Sequence, residues 1–223
     1  MGEDGSSISV VHRLVSDWSG SVNSLSLESA SYGKPCASRR TRSIRDGDGA
    51  LLKREQIASG VAETSTVYIG GVYEAHSDGS VTKYYQAYGR AVAVRQVPAT
   101  GGPGTLSFLL ADQLGTTTMV LDATGAVVAD QRYWPYGAAR SSTSITQTDK
   151  LYTGQRQEPG DPAALGLYDY HARFYSTLVG RFVSADSRGS NGTDIYGYVT
   201  DNPLRYTDPS GNCCTFPGRP AFS

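Results

Sequence analysis

Apolar and polar residues alternate with a period of two over short runs in the last two-thirds of this chain, and glycines close each run. In DGSVTKYYQAYG (Asp78 to Gly89), Val81, Lys83 and Tyr85 alternate with Thr82, Tyr84 and Gln86. In DATGAVVADQRYWPYG (Asp122 to Gly137), Val127, Ala129 and Gln131 alternate less cleanly with Val128, Asp130 and Arg132. A third unit, LGLYDYHARFYSTLVGRF, runs from Leu165 to Phe182. This period belongs to strands with two unlike faces. Gly79 and Gly125 follow Asp and Asp-Ala-Thr, where a tight turn needs positive φ. Turn signals recur about every ten residues, which predicts antiparallel hairpins in an all-β repeat array. A single hairpin has too little apolar area to stand alone and must stack on a neighbour.

The same reading places two strands around Gly70-Gly71, one over Ala91 to Val97, an apolar one in Leu106 to Gly115 and one in TTTMVLD. PATGGPG is a connector and Arg140 to Asp149 a polar loop. Residues 1–63 show weak patterning, dominated by Ser, Gly and Arg, with one strand pair expected around Ala50 to Ile57. They are expected to be poorly ordered. RRTRSIR (Arg39 to Arg45) reads as a solvated basic loop. The organisation that follows is a weakly patterned 1–63, hairpin repeats over 64–108, a closing block over 109–212 and a short tail, 213–223. Helix is expected only as a short turn or two.

Composition shifts the picture of the core. Hydrophobic residues are 39% of 223, and there are 15 Tyr against 5 Phe. Tyrosine suits broad sheets with half-wet faces, because the ring packs while the hydroxyl finds a partner. The net charge of −1 gives no general attraction to nucleic acid. No run reaches the length of a membrane helix, and the first residues lack a secretory pattern. Three Cys (Cys36, Cys213, Cys214) are no disulfide framework, and three His without metal-ligand spacing point to no metal and no cofactor. Asn191-Gly192-Thr193 is a glycosylation sequon, meaningful only in a secreted eukaryotic chain.

From about Thr66 to Gly211 the chain resembles the RHS/YD-repeat family, and from Leu109 its repeat-associated core domain. The matching words are LADQLGTTTMVLDATGAVV, RYWPYG, YTGQRQEP, LGLYDYHARFYSTLVGRFVSAD and YGYVTDNPLRYTDPSG, in that order. The resemblance implies hairpins forming part of a curved, hollow β-shell closed by the core domain. The shell would enclose a C-terminal polymorphic toxin in a longer parent, secreted or at the cell surface. Implied partners are the rest of the shell and neighbouring repeats.

In self-cleaving members the core domain cuts the chain by an aspartic-protease-like reaction using two Asp and an Arg. By motif these fall on Asp186 (in SAD), Asp208 (in YTDPSG) and Arg173 (in HARFY), with the cut between Asn212 and Cys213. Two close carboxylates cannot both ionise easily, so one can donate a proton while the other activates water. A guanidinium would orient them. Ser187 stands where a proline would fix the turn, and Asn212 stands where cleaving members carry Leu, which predicts slow cleavage or none. Each residue also has a plain reading: Asp-Pro-x-Gly is a turn signature, Asp186 sits at a strand end, and Arg173 suits simple ion pairing.

Three functions therefore stand side by side. The first is a structural shell module related to toxin encapsulation, here without a toxin domain. The second is a self-cleaving core that cuts after Asn212. The third is a carbohydrate- or partner-binding surface built on exposed Tyr and Trp134.

Overall fold

The computed structural model describes residues 13–19, 22–28, 39–47, 49–58, 61–158, 166–187 and 194–212. The described residues are antiparallel β-structure joined by tight turns. Two short 3-10 turns, Tyr152–Gly154 and Val199–Asp201, are the helical elements among them. No helix among them is long and apolar enough to cross a membrane, which says nothing of a β-barrel.

The chain forms two compact units. The first carries β1 (Arg13–Ser19), β2 (Val22–Glu28), β3 (Arg39–Arg45), β4 (Leu51–Ala58) and β5 (Val61–Ile69). Each pairs antiparallel with its neighbour in sequence. The weak patterning of this stretch predicts one strand pair, and its described residues form four strands before β5. The basic cluster Arg39–Arg45 is strand β3 rather than a loop. Its Ser43 and Arg45 are buried, as is Arg54 on β4. Arg45 Nη1 donates to the carbonyl of Gly49 at 3.1 Å, and Arg54 Nη1 lies 3.3 Å from the Tyr68 hydroxyl. Long polar side chains with hydrogen-bonded heads fill the space that apolar residues fill elsewhere, so the strand leaves no hydrophobic period to read.

After β6 (Tyr73–His76), the second unit runs through β7 (Val81–Ala87), β8 (Arg90–Val97), β9 (Thr105–Ala111), β10 (Thr117–Asp122), β11 (Val127–Tyr133) and β12 (Ala139–Thr143), again paired in sequence order. The start of the expected polar loop is thus strand β12. A smaller sheet follows: β13 (Arg156–Gln157), β14 (Leu167–Asp169), β15 (Phe174–Ser176) and β16 (Arg181–Phe182). Alternation decides the faces. Tyr84 faces Val94 across the ladder, and Leu109, Val120 and Ala129 align across three strands, all buried. Tyr85, Phe108, Leu110 and Val127 point to the other face and stay exposed.

The buried face is covered by residues from Ile145 onward, and the cover is largely tyrosine. Tyr152, Tyr168, Tyr170, Tyr175, Tyr198 and Phe182 join the strand residues in one core. Tyr175 and Tyr198 lie 4.5 Å apart between ring centroids, and Tyr170 meets Phe182 edge-on at 5.7 Å. Several of the hydroxyls find partners inside the unit, as burial favours, while the Tyr133 hydroxyl is buried with none among the described residues. Tyr152 donates to the Pro135 carbonyl at 2.6 Å, Tyr175 donates to the Tyr136 carbonyl at 2.9 Å, and Tyr170 lies 2.8 Å from Thr153 Oγ1. Val199, Thr200 and Asp201 take left-handed φ of 46°, 52° and 57° in succession. Such backbone costs roughly 1–2 kcal/mol per residue for non-glycine residues. Here the turn carries Tyr198 and Val199 into the core, at 0% and 4% exposure.

Two expectations follow. Gly125 and Gly137 both have φ near 90° (87° and 89°), but a Cβ on Gly125 meets open space while one on Gly137 would sit 2.6 Å from the Tyr152 ring. Gly125→Ala should cost about 1–2 kcal/mol from backbone strain alone. Gly137→Ala should cost ~1–3 kcal/mol more through overpacking. Urea titration of both variants checks the order, and equal losses would contradict it. Burial also pushes the buried tyrosines up: Tyr198 to about 12, and Tyr84, Tyr133, Tyr152, Tyr168, Tyr170 and Tyr175 further. A phenol ionises near 10 in the unfolded chain, so this stability is fully present below about pH 10 and is lost as pH rises toward the folded values. Circular dichroism and the tyrosinate absorbance of the buried rings should change in one transition above about pH 10, whereas buried rings ionising in an intact fold would refute the link.

Candidate functional site

One local turn recurs through the chain and ends at the site. In Asp112-Gln-Leu-Gly-Thr, Asp112 Oδ1 accepts from the backbone N–H groups of Leu114 and Thr116, both at 2.9 Å. In Asp122-Ala-Thr-Gly-Ala, Asp122 Oδ1 accepts from Thr124 at 2.8 Å and Ala126 at 3.0 Å. Hydrogen bonds, led by the Thr124 hydroxyl, hold the Asp122 carboxyl below its usual value. Asp208-Pro-Ser-Gly-Asn repeats the geometry. Asp208 Oδ1 accepts from the N–H of Ser210 at 3.3 Å, Gly211 at 2.8 Å and Asn212 at 3.1 Å, with the Ser210 hydroxyl at 3.4 Å. The glycine in the fourth place of each turn has φ of 90°, 87° and 75°. Asp208 is thus a turn residue first, as its Pro and Gly neighbours imply.

Its surroundings set it apart. Asp122 is open to solvent, whereas the Asp208 side chain is 4% exposed and faces a buried Arg173. Arg173 Nη2 lies 3.7 Å from Asp208 Oδ2 and 3.1 Å from Asp186 Oδ2, so one nitrogen serves both carboxylates. Arg173 Nη1 donates to the Ile195 carbonyl at 3.1 Å, and Nε donates to the Gly211 carbonyl. The guanidinium carbon sits 3.7 Å from the Phe182 ring centroid. Burial pulls Arg173 below the usual guanidinium value, and Asp186 and then Asp208 offset that in part. The Asp186 N–H donates to the same Ile195 carbonyl at 2.9 Å, which fixes the Asp186 turn against Arg173.

Arg173, Asp186 and Asp208 therefore meet, although they lie far apart in the chain. β15 and β16 bring Arg173 and Phe182 together, and the strand-end turn carries Asp186 back over them. Ala172 donates its N–H to the Ser210 carbonyl at 3.2 Å and docks the last turn. A Cβ on Gly211 would strike the Tyr170 carbonyl, so only glycine allows this approach. Chemically, the cluster offers a guanidinium that grips a peptide carbonyl and a turn whose N–H groups are saturated. It also offers one carboxylate, Asp186, whose side chain is 16% exposed. Asn212 ends the described chain here. Cys213, the sequon Asn191-Gly192-Thr193, Cys36 and Cys214 lie outside the described residues.

The sequence reading did not single out Phe182, Ile195 or Ser210. Ile195 acts through its carbonyl, which leaves no mark on residue type. It also missed a second ionic cluster. Arg156 Nη1 lies 2.5 Å from Glu74 Oε1 and 2.7 Å from Asp149 Oδ1. Lys150 Nζ donates to the Gly71 carbonyl at 2.8 Å and rests 4.2 Å from the Tyr84 ring centroid. Burial raises Glu74 and pulls Lys150 down to about 8. These contacts tie the chain before β7 to the segment after β12. On the surface, Trp134 is half exposed, and the Arg140 guanidinium lies 4.9 Å from its ring centroid.

No family model matches the chain. Toxin subunit YenC2 of Yersinia entomophaga is 38% identical over 97 residues, which are 41% of this chain and 10% of that one. Toxin subunit YenC1 of the same organism is 32% identical over 104 residues, 44% of this chain and 10% of its own length. Salivary gland surface protein 1 of Aedes aegypti is 34% identical over 106 residues, 46% of this chain and 3% of that protein. Crystal structures of TcdB2-TccC3 and TcdB2-TccC3-Cdc42 each superpose with a TM-score of 0.70 at 22% identity, covering 90% of this chain and 10% of theirs. The fold is thus the antiparallel β-hairpin architecture of those structures. The chain has toxin subunits among its relatives and spans a tenth of their length.

Proposed function

We propose that this chain is a structural module of a toxin-complex shell, joining RHS/YD-type hairpin repeats to a closing block of the repeat-associated core type. The observation that carries it is 38% identity to a toxin subunit. The hairpin ladder with its tyrosine cover supports the reading, because such a face suits a wall that is sealed side chain by side chain. Its partners are then neighbouring repeats of a longer, extracellular parent, whose shell would hold a C-terminal polymorphic toxin. A chimaera of YenC2 whose matched segment is replaced by the corresponding residues of this chain should fold and form closed particles by electron microscopy. A chimaera that stays soluble but leaves the particle open would count against the proposal.

A second reading is self-cleavage after Asn212. It is favoured by Arg173, which reaches Asp186, Asp208 and the carbonyl that precedes Asn212. In this reading Asp186, the more exposed of the two carboxylates, takes a proton from the attacking water. Arg173 holds the chain in register, and Asp208 fixes the turn that presents the bond. The intact mass of the purified chain should fall by the peptide 213–223. Asp186→Asn and Asp208→Asn should both stop the loss, and a cut that survives both would end this reading.

A further inference from the structure

Three consecutive carbonyls of the last turn each take a donor from outside it. Gln155 Nε2 donates to the Pro209 carbonyl at 3.2 Å, the Ala172 N–H to the Ser210 carbonyl at 3.2 Å, and Arg173 Nε to the Gly211 carbonyl. The N–H groups of Ser210, Gly211 and Asn212 go to Asp208 Oδ1 instead. The turn thus satisfies its own donors and presents its acceptors to the rest of the fold. A ligand organised in this way before it docks loses little freedom on binding.

Its side chains are read unevenly. Thr207 and Asp208 are 7% and 3% exposed, and Asp208 Oδ2 faces Arg173 Nη2 at 3.7 Å. Gly211 lies against the Tyr170 carbonyl and the Arg173 nitrogen, where a Cβ has no room. Pro209, by contrast, is exposed. The Ser210 hydroxyl bonds Asp208 and Asn212, within the turn itself. The seat therefore reads Thr-Asp-x-x-Gly and passes over the two residues between. The turn at Asp122 has the same local form, but its carboxylate is open to solvent.

The chain that leads to the turn runs through Leu204 and Arg205, both exposed, Leu204 at 63%. The backbone bonds of this link are local: the N–H groups of Arg205 and Tyr206 both donate to the Asn202 carbonyl. We infer that Gln155, Tyr170, Ala172 and Arg173 form a peptide-binding site for a Thr-Asp-x-x-Gly turn. Residues 207–212 occupy it as a ligand, held independently of the chain that delivers them. The covalent link raises the local concentration of the turn, and the grip comes from the seat. A break in the exposed link therefore leaves the end of the fold closed. This holds whether or not the chain is also cut after Asn212.

The test uses the full chain with a specific protease site inserted between Leu204 and Arg205. Uncut, it should match the parent by circular dichroism. After cleavage, the fragment that carries Arg205 should co-elute with the remainder on gel filtration, whether it ends at Asn212 or at Ser223. An excess of fluorescent peptide covering residues 205–212 should then replace it. Pro209→Ala and Ser210→Ala should hold the fragment as the parent does. Gln155→Ala removes one neutral hydrogen bond and should release it roughly fivefold faster. Asp208→Asn, which loses a charged contact, should release it about tenfold faster or more. The inference falls if the fragment separates as soon as the link is cut, or if the peptide cannot replace it. It falls equally if Gln155→Ala and Asp208→Asn leave release unchanged, or if Pro209→Ala speeds it as much as Asp208→Asn. An insertion that unfolds the uncut chain would show the link to be part of the grip, which also overturns it.

Discussion

The second unit depends on a tyrosine core in which Tyr152, Tyr170, Tyr175 and Tyr198 each bond through the hydroxyl inside the fold. Tyr152, Tyr170, Tyr175 and Tyr198 pack ring against ring, and their polar ends reach Pro135, Thr153, Tyr136 and one another. An aliphatic core would tolerate small slides, because its contacts have no direction. Here each ring carries a directed bond at its tip, so the core has one register. Glycines at 137 and 211 let backbone come close to it, and the left-handed run 199–201 is held in place by the residues it buries.

Arg173 extends that order to the last turn. It stacks on Phe182, itself part of the ring cluster, and sends its nitrogens to two carboxylates and two carbonyls. A buried ion group of this kind contributes little net stability when complete, but removing one member leaves a charge stranded. Its effect is on placement: four separate stretches of chain must agree before the guanidinium is satisfied.

Much of the second unit was legible in the sequence. The period of two from Val81 to Gln86 placed Tyr84 and Thr82 on one face, and turn signatures gave the turns at Gly125 and Gly211, whereas the strand read over Leu106 to Gly115 ends at Ala111 and Asp112 to Gly115 is a turn. The meeting of Arg173, Asp186 and Asp208 came from the resemblance, because no local pattern links residues that far apart. Three things were not legible. The strands of residues 1–63 bury Arg45 and Arg54 where a reader looks for Val or Ile. The Glu74, Asp149 and Arg156 cluster joins side chains that only the fold makes neighbours. The carbonyls of Ile195 and Gly211 act as acceptors, and every residue type has a carbonyl.

The covered face of the sheet has a consequence in time. Tyr84, Val94, Leu109, Val120 and Ala129 come early in the chain, while their cover begins at Ile145 and is completed by Tyr198 and Val199. A ribosome delivers the wall long before it delivers the lining. Throughout that interval the nascent hairpins can pair, since pairing is local, but one side of the ladder stays wet and adhesive. A chain that stalls or terminates before the final tyrosines is released as an uncovered apolar surface.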